Sequence, residues 1–533
     1  MSKYIRALAA SVIGAFAVVE FVFFSQGFSA LNSTVYYFSL LFAFFLAIGL
    51  PPRGAKNRAF QLALAGAIIA ISSVFTLFDN QGLDFLNGAV ILFLMGIMCL
   101  QRIGEERFAI GEQGFLKELF LGFILRPILS IPEPVKEVSA LRKEKKILST
   151  GIPGTAPTAP KGISVMVQII IALAIGLPLI LFLTVMLAFS DAVFADWVQG
   201  LLQYLDEWAI KEAIQRLFLF FLVVPFTASI IFSYKSKRFY SAKNSVAGEP
   251  NALLIPEASA ITILVLVNTL YLIFAVIQSV YFFGAWAGQL PEGLTYAEYA
   301  RSGFFELAFI SAINAIMILV SIRYTNRSAK TGMAIRILSM ILIGLSFIQL
   351  ASAFRRMALY IEAYGLSEER YLVSGFMILM AVLFILLAVR EFFEKLPLFK
   401  SALQVGVLAL LIINFSVPGY WIASHNIDRY LSGDLKTLDT DYLMRSSSDS
   451  LLVLLDKEDE LHELSEDDLE EDLDKVHEFI SIRYMRDWED RNDRYNSDED
   501  PERSYTQIID STWKSFNVSS YRVYLEAETT RDD

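Results

Sequence analysis

Apolar runs of 18 or more residues recur from residue 7 to residue 422, and this recurrence restricts the fold more than any other feature of the chain. In a bilayer every backbone N–H and C=O must find its partner within the protein, and a helix meets that need segment by segment. A hydrocarbon core of about 30 Å takes roughly 20 residues of helix. Runs near 7–24, 34–50, 59–78, 83–101, 164–189, 213–234, 257–285, 302–322, 331–354, 371–390 and 401–422 fit that length. The sequence therefore predicts an all-α, polytopic transmembrane helix bundle of about 11 spans, with a helical, soluble C-terminal tail. The organisation expected is a four-span membrane unit (1–101), a cytoplasmic interfacial insertion and linker (102–162), a seven-span membrane core (163–422) and an acidic extracytoplasmic tail (423–533).

Composition agrees. With 55 % hydrophobic residues and a mean hydropathy of +0.50, the chain is too apolar for a soluble domain. The net charge of −11 hides a division: residues 423–533 hold 31 acids against 13 bases, a net of −18, which leaves +7 for the rest. An acidic tail excludes nucleic acid as its partner, because phosphate binding needs the opposite sign. The lipid bilayer is the partner of the body, and a protein is a candidate partner for the tail.

Lys and Arg set the expected orientation. Lys3 and Arg6, then Arg53, Lys56 and Arg58, Lys235, Lys237 and Arg238, Arg323, Arg327 and Lys330, and Arg390, Lys395 and Lys400 fall in alternate connections, with a basic cluster at 142–146. Arg301, Arg355, Arg356 and Arg370 fall on the other side. The N-terminus is expected in the cytoplasm and, with an odd span count, the tail outside it. Glu20, Asp191 and Arg336 sit near span ends, where snorkelling accounts for them.

Three late spans carry polar stripes at helical spacing. They are Asn268, Tyr271 and Gln278; Gly303, Glu306 and Asn314; and Ser346, Gln349 and Arg356. The segment 295–307 leads into the second of these with Tyr296, Tyr299 and Arg301. Ionisable groups inside spans are costly and mark functional positions unless neighbouring helices pair them. Tyr296, Tyr299, Arg301, Glu306, Asn314, Asn268, Gln278, Gln349 and Arg356 are therefore the candidate substrate-binding residues, placed at the outer end of spans seven to nine. The competing reading is interhelical hydrogen bonding for Asn, Gln and Ser, and a structural ion pair for Glu306.

Other chemistry has no foothold in the sequence. Phosphate-cradling glycine loops and a nucleophile elbow are missing. His425, His462 and His477 lack metal-ligand spacing, so no metal and no cofactor is expected. The single cysteine, Cys99, rules out an intrachain disulfide. In the tail, Leu461, Leu464, Leu469, Leu473 and Val476 form an apolar stripe, and Trp513, Phe516, Tyr521 and Tyr524 are candidates for docking back.

The segments "TYAEYARSGFFELAFISAINA" (295–315), "VNTLYLIFAVIQSVYFFG" (267–284), "HNIDRYLSGDLKTLDTDYLMRSSSDSLLVLL" (425–455) and "WKSFNVSSYR" (513–522) resemble an uncharacterised family of bacterial multi-pass membrane proteins, a domain-of-unknown-function family. The resemblance covers most of the chain beyond about residue 160 and implies a bacterial cytoplasmic-membrane location. It implies no activity, ligand or catalytic residue. Two functions from different classes follow: transport or handling of a small solute or lipid, and a non-transporting envelope sensor or assembly partner acting through the tail. An enzyme ranks below both, since no catalytic set is recognisable.

Overall fold

The structure, a computed structural model, describes residues 3–24, 30–53, 57–103, 208–235, 255–286, 304–325, 331–463, parts of 473–480, and 517–523. The expected span 164–189 and nearly all of the insertion 102–162 lie outside these residues. Every element named below is a helix, and the one extended feature among the described residues is a single parallel bridge between Ile255 and Thr325. Eight of these helices are long and apolar enough to cross a bilayer. The chain is a multi-pass membrane protein, built as two compact units.

The first unit comprises Met1–Thr76, Leu86–Ser245 and Thr506–Phe516. Its helices are α1 (Lys3–Val18), α2 (Leu31–Ile48), α3 (Arg58–Leu77), α4 (Gln81–Ile103) and α5 (Trp208–Lys235), less the ends of α3 and α4 that fall in the second unit. α1 packs on α2 and α5. Small residues allow the approach: Ala7, Ala10, Ala15 and Ala17 are fully buried. Hydroxyls bond across helices, Thr227 Oγ1 donating to the Ser11 carbonyl at 2.9 Å and Thr34 Oγ1 to that of Ser72 at 2.6 Å. Glu20, in a π-helical turn (Val19–Phe23) that continues α1, is held by Arg216 Nε at 3.3 Å. Its carboxylate therefore has an ion-pair partner on another helix as well as its place near a span end.

The second unit comprises Leu77–Phe85, Val246–Tyr505 and Asn517–Asp533. Its membrane helices are α6 (Glu257–Trp286), α7 (Phe304–Tyr324), α8 (Thr331–Tyr364), α9 (Glu368–Phe392) and α10 (Leu398–Phe415). α6 runs parallel to α8, because Glu257 meets Thr331 at their starts and Asn268 meets Leu338 further along. α7 returns between their ends. α8, at 34 residues, is about 51 Å long and overshoots a bilayer core. Arg336 near its start pairs with Glu394 at 3.2 Å.

The far end of α8 is tied off with unusual care. Gly365, at φ +74°, provides the left-handed turn that ends the helix. The last-turn carbonyls of α8 lack intrahelical partners. Arg429 supplies donors to the carbonyls of Ile361 (3.1 Å) and Glu362 (2.8 Å). Arg370 donates to the carbonyls of Tyr364 and Gly365, with its guanidinium 4.0 Å over the Tyr360 ring. That employment explains why Arg370 stands at this end of the helix.

α10 stops at Phe415, short of the expected limit at residue 422. Val417 takes φ +52° and Pro418, lacking an N–H, opens α11 (Pro418–Leu431) as a new helix. α12 (Thr440–Ser446), α13 (Ser448–Asp456) and α14 (Glu458–His462) follow, and with 473–480 and 518–523 they form a cap. Its core is Ile422, Ile427, Leu443, Leu451, Leu454, Leu461, Leu473, Val476, Ile480 and Val523. Asn426 joins α11 to the α8–α9 turn by imitating a strand partner: Oδ1 accepts the Leu366 N–H at 2.6 Å and Nδ2 donates to the Leu366 carbonyl at 2.8 Å. Of the tail stripe, Leu461, Leu473 and Val476 are buried, while Leu464 and Leu469 lie outside the described residues. Docking by the C-terminal segment rests on Val523 and neighbouring polar residues; Tyr521 stays exposed. Trp513, Phe516 and Tyr524 are outside the described residues.

Candidate functional site

Where α6, α7 and α8 meet, polar side chains form a seam inside an apolar bundle. On α7, Asn314, Ser321 and Thr325, at the end of that helix, are seven and four residues apart, one face of a helix. On α8, Ser339, Ser346 and Gln349 share a face by the same rule. Because α7 and α8 are antiparallel, Ser321 and Ser339, each two turns from the Asn314–Ser346 contact, lie at matching heights. Asn268 of α6 reaches α8 at that level, its Nδ2 donating to the Leu338 carbonyl at 3.0 Å.

All of these residues are buried, none more than 7 % exposed. Asn314 Nδ2 donates to Ser346 Oγ at 2.9 Å and to Gln349 Oε1 at 3.3 Å, and Ser346 Oγ passes its own hydrogen to the Leu342 carbonyl at 2.8 Å. The other side of the ledger is open. Asn268 Oδ1, Asn314 Oδ1, Ser321 Oγ, Thr325 Oγ1 and Ser339 Oγ are buried without a hydrogen-bond partner among the described residues. Leaving a buried polar atom unsatisfied costs about 1–3 kcal/mol. A row of them along one helix–helix contact calls for small polar molecules in the seam.

The candidate residues fall as follows. Asn268, Asn314 and Gln349 come together in this seam. Arg356 lies two turns further along α8 than Gln349 and is half-buried. Glu306, in the first turn of α7, and Gln278, on α6, belong to described helices but their side chains lie outside the described residues. Tyr296, Tyr299 and Arg301 lie outside them altogether. The sequence reading passed over Ser321, Thr325 and Ser339. Their signal was present as hydroxyls at helical intervals from Asn314 and Ser346, but single serines in apolar helices normally bond the carbonyl four residues back and so attract no notice.

In its described part the seam carries amides and hydroxyls and no carboxylate. Charged groups stand at one end, where α6 and α8 begin, at Glu257 with Thr331 and at Arg336 with Glu394.

A family model described as a domain of unknown function (DUF4153) matches residues 65–457 of the 533. No curated protein and no solved structure matches the chain.

Proposed function

The chain belongs to the DUF4153 family of unknown function, and from that footing we propose that it handles a small, uncharged polar solute along the seam between α6, α7 and α8. The observation that carries this reading is the set of buried acceptors and hydroxyls without hydrogen-bond partners among the described residues, at Asn268, Asn314, Ser321, Thr325 and Ser339. Interhelical glue alone would leave such atoms paired with each other, as Asn314 and Ser346 are. The candidate site thus moves inward from the outer end of the spans, with Arg356 of α8 on its outer side.

The same proposal places the protein in the cytoplasmic membrane of a bacterium, with the N-terminus inside. Arg336, Arg390, Lys395 and Lys400 belong to the end of the second unit where α8 and α10 begin and α9 finishes. That end is then cytoplasmic by the positive-inside rule, and the cap is extracytoplasmic.

A second reading, an envelope sensor or assembly partner acting through the tail, draws on the cap, a folded unit with its own core. The two separate in one experiment. Full-length protein in liposomes is tested for entry of small neutral solutes such as urea or glycerol, beside Asn314→Leu. The solute-handling reading expects entry above that of empty liposomes, reduced by Asn314→Leu. Permeability equal to that of empty liposomes, with the protein folded, favours the second reading.

A further inference from the structure

Residues 77–80, which link α3 to α4, are gripped within the second unit by segments hundreds of residues away. The Leu77 carbonyl accepts from Ser519 Oγ at 3.1 Å, and the Phe78 carbonyl from Asn517 Nδ2 at 2.9 Å. Asn80 Nδ2 donates to the Asn414 carbonyl at 3.4 Å. Asp79 Oδ2 takes two hydrogen bonds from one residue, the Ser448 N–H at 3.1 Å and Ser448 Oγ at 2.8 Å. Ser448 is the first residue of α13, so Asp79 places an anion against the open N–H groups and positive end of that helix.

A second carboxylate stands at the same helix end. Asp449 is 5 % exposed. Its Oδ1 accepts from Ser519 Oγ at 2.7 Å, while its Oδ2 is buried without a hydrogen-bond partner among the described residues. Ser520 Oγ, 2.9 Å from Ser448 Oγ, closes the ring. The charges facing Asp449 are Asp79 from the link and Arg522 from the C-terminal segment. Glu368, in the first turn of α9, faces Asp79, and Glu369 faces Glu368. One helix end accommodates one anion well; two buried carboxylates side by side repel unless one is neutral.

We propose that Asp449, which faces Asp79 at the start of α13, is a proton-binding carboxyl whose charge sets how firmly residues 77–80, 448–450 and 517–520 are clamped together. Asp449 takes the proton from the aqueous phase, while Asp79 keeps its two hydrogen bonds from Ser448. Burial pushes the Asp449 carboxyl up from its ordinary 3.8 and the Asp79 charge adds to the rise; the Ser519 hydrogen bond, the Asp79 backbone and the Arg522 charge oppose it. With its pKa raised in the closed clamp, Asp449 binds more protons closed than open. Closure is therefore favoured as pH falls from neutral towards 3.8 and weakened as pH rises through the raised value.

The test is hydrogen–deuterium exchange of residues 445–456 and 517–523 in the full-length protein in nanodiscs, at several pH values and corrected for intrinsic rates. Protection is expected to rise on acidification. Asp449→Asn, which removes the buried charge and keeps an acceptor for Ser519, is expected to be flat with pH and at least as protected as the wild type in acid. Asp79→Asn is expected to lose protection throughout. Wild-type protection that ignores pH, or an unchanged pH dependence in Asp449→Asn, would overturn the proposal. A second readout does not depend on opening: the infrared carbonyl band of a neutral carboxyl, followed as the pH falls from neutral towards the range where a free Asp protonates. It is expected in the wild type and lost in Asp449→Asn; a band unaffected by that substitution also overturns it.

Discussion

Asn314 Nδ2 on α7 lies 2.9 Å from Ser346 Oγ on α8, while Asn314 Oδ1, on the same amide, is buried with no hydrogen-bond partner among the described residues. One residue thus both fastens two helices and offers an unused acceptor to the space between them.

That double role separates stability from activity. Hydrogen bonds between membrane helices are worth only about 0.6 kcal/mol on average. Asn314→Leu is expected to change unfolding free energy by about 1 kcal/mol or less, measured by denaturant titration in mixed micelles. Solute entry into liposomes is expected to fall at least tenfold in the same variant. A large loss of stability with unchanged entry would assign Asn314 to packing.

The cap hangs on Asn426, whose amide makes both hydrogen bonds to Leu366. Asn426→Ala leaves the partly buried Leu366 N–H and C=O without these partners, at a cost of about 1 kcal/mol. Faster proteolysis within 440–463 is the expected consequence. Cleavage at the wild-type rate would show that the α8–α9 turn does not depend on α11.

Gly365 meets the same side chain from below. It sits at φ +74°, and a Cβ there would strike Asn426 Oδ1. Gly365→Ala therefore combines backbone strain of about 1–2 kcal/mol with displacement of Asn426. Its thermal midpoint is expected to fall by more than that of Asn426→Ala. A smaller fall would place the Asn426 amide elsewhere.

In the first unit, Glu20 and Arg216 belong to different elements and lie 3.3 Å apart. A double-mutant cycle with Glu20→Gln and Arg216→Gln is expected to give a coupling on the order of 1 kcal/mol. Additive losses would mean that each group is satisfied elsewhere.

Much of the membrane architecture was legible because burial in lipid writes itself into local composition. α3, α6 and α9 begin and end within a few residues of the apolar runs that announce them. Limits failed where backbone chemistry, and no change of polarity, ended the helix, as at Val417–Pro418. The seam was half legible: Asn268, Asn314 and Gln349 stand out in apolar helices, whereas Ser321 and Ser339 do not. Of the cap, the helical tail and its apolar stripe were legible, and the partners that hold it were not. Asp79 and Ser448 are 369 residues apart, and Phe78 and Asn517 are 439 apart. One consequence concerns the tail: removing 456–533 takes Leu461, Leu473, Val476 and Val523 from the cap core, so that truncation disturbs a folded unit and does not isolate a tail function.

The most direct test of the seam uses the fact that Cys99 is the only cysteine. In a Cys99→Ala background, Ser321→Cys and Ser339→Cys are exposed in intact membranes to a small, uncharged, water-soluble thiol reagent that reacts only with hydrated thiolates. Ile337→Cys and Ile341→Cys, on the exposed face of α8, serve as lipid-facing references. Modification of both seam cysteines, with the references inert, is the predicted result. Seam cysteines as unreactive as the references would contradict a hydrated route and leave a sealed helical contact.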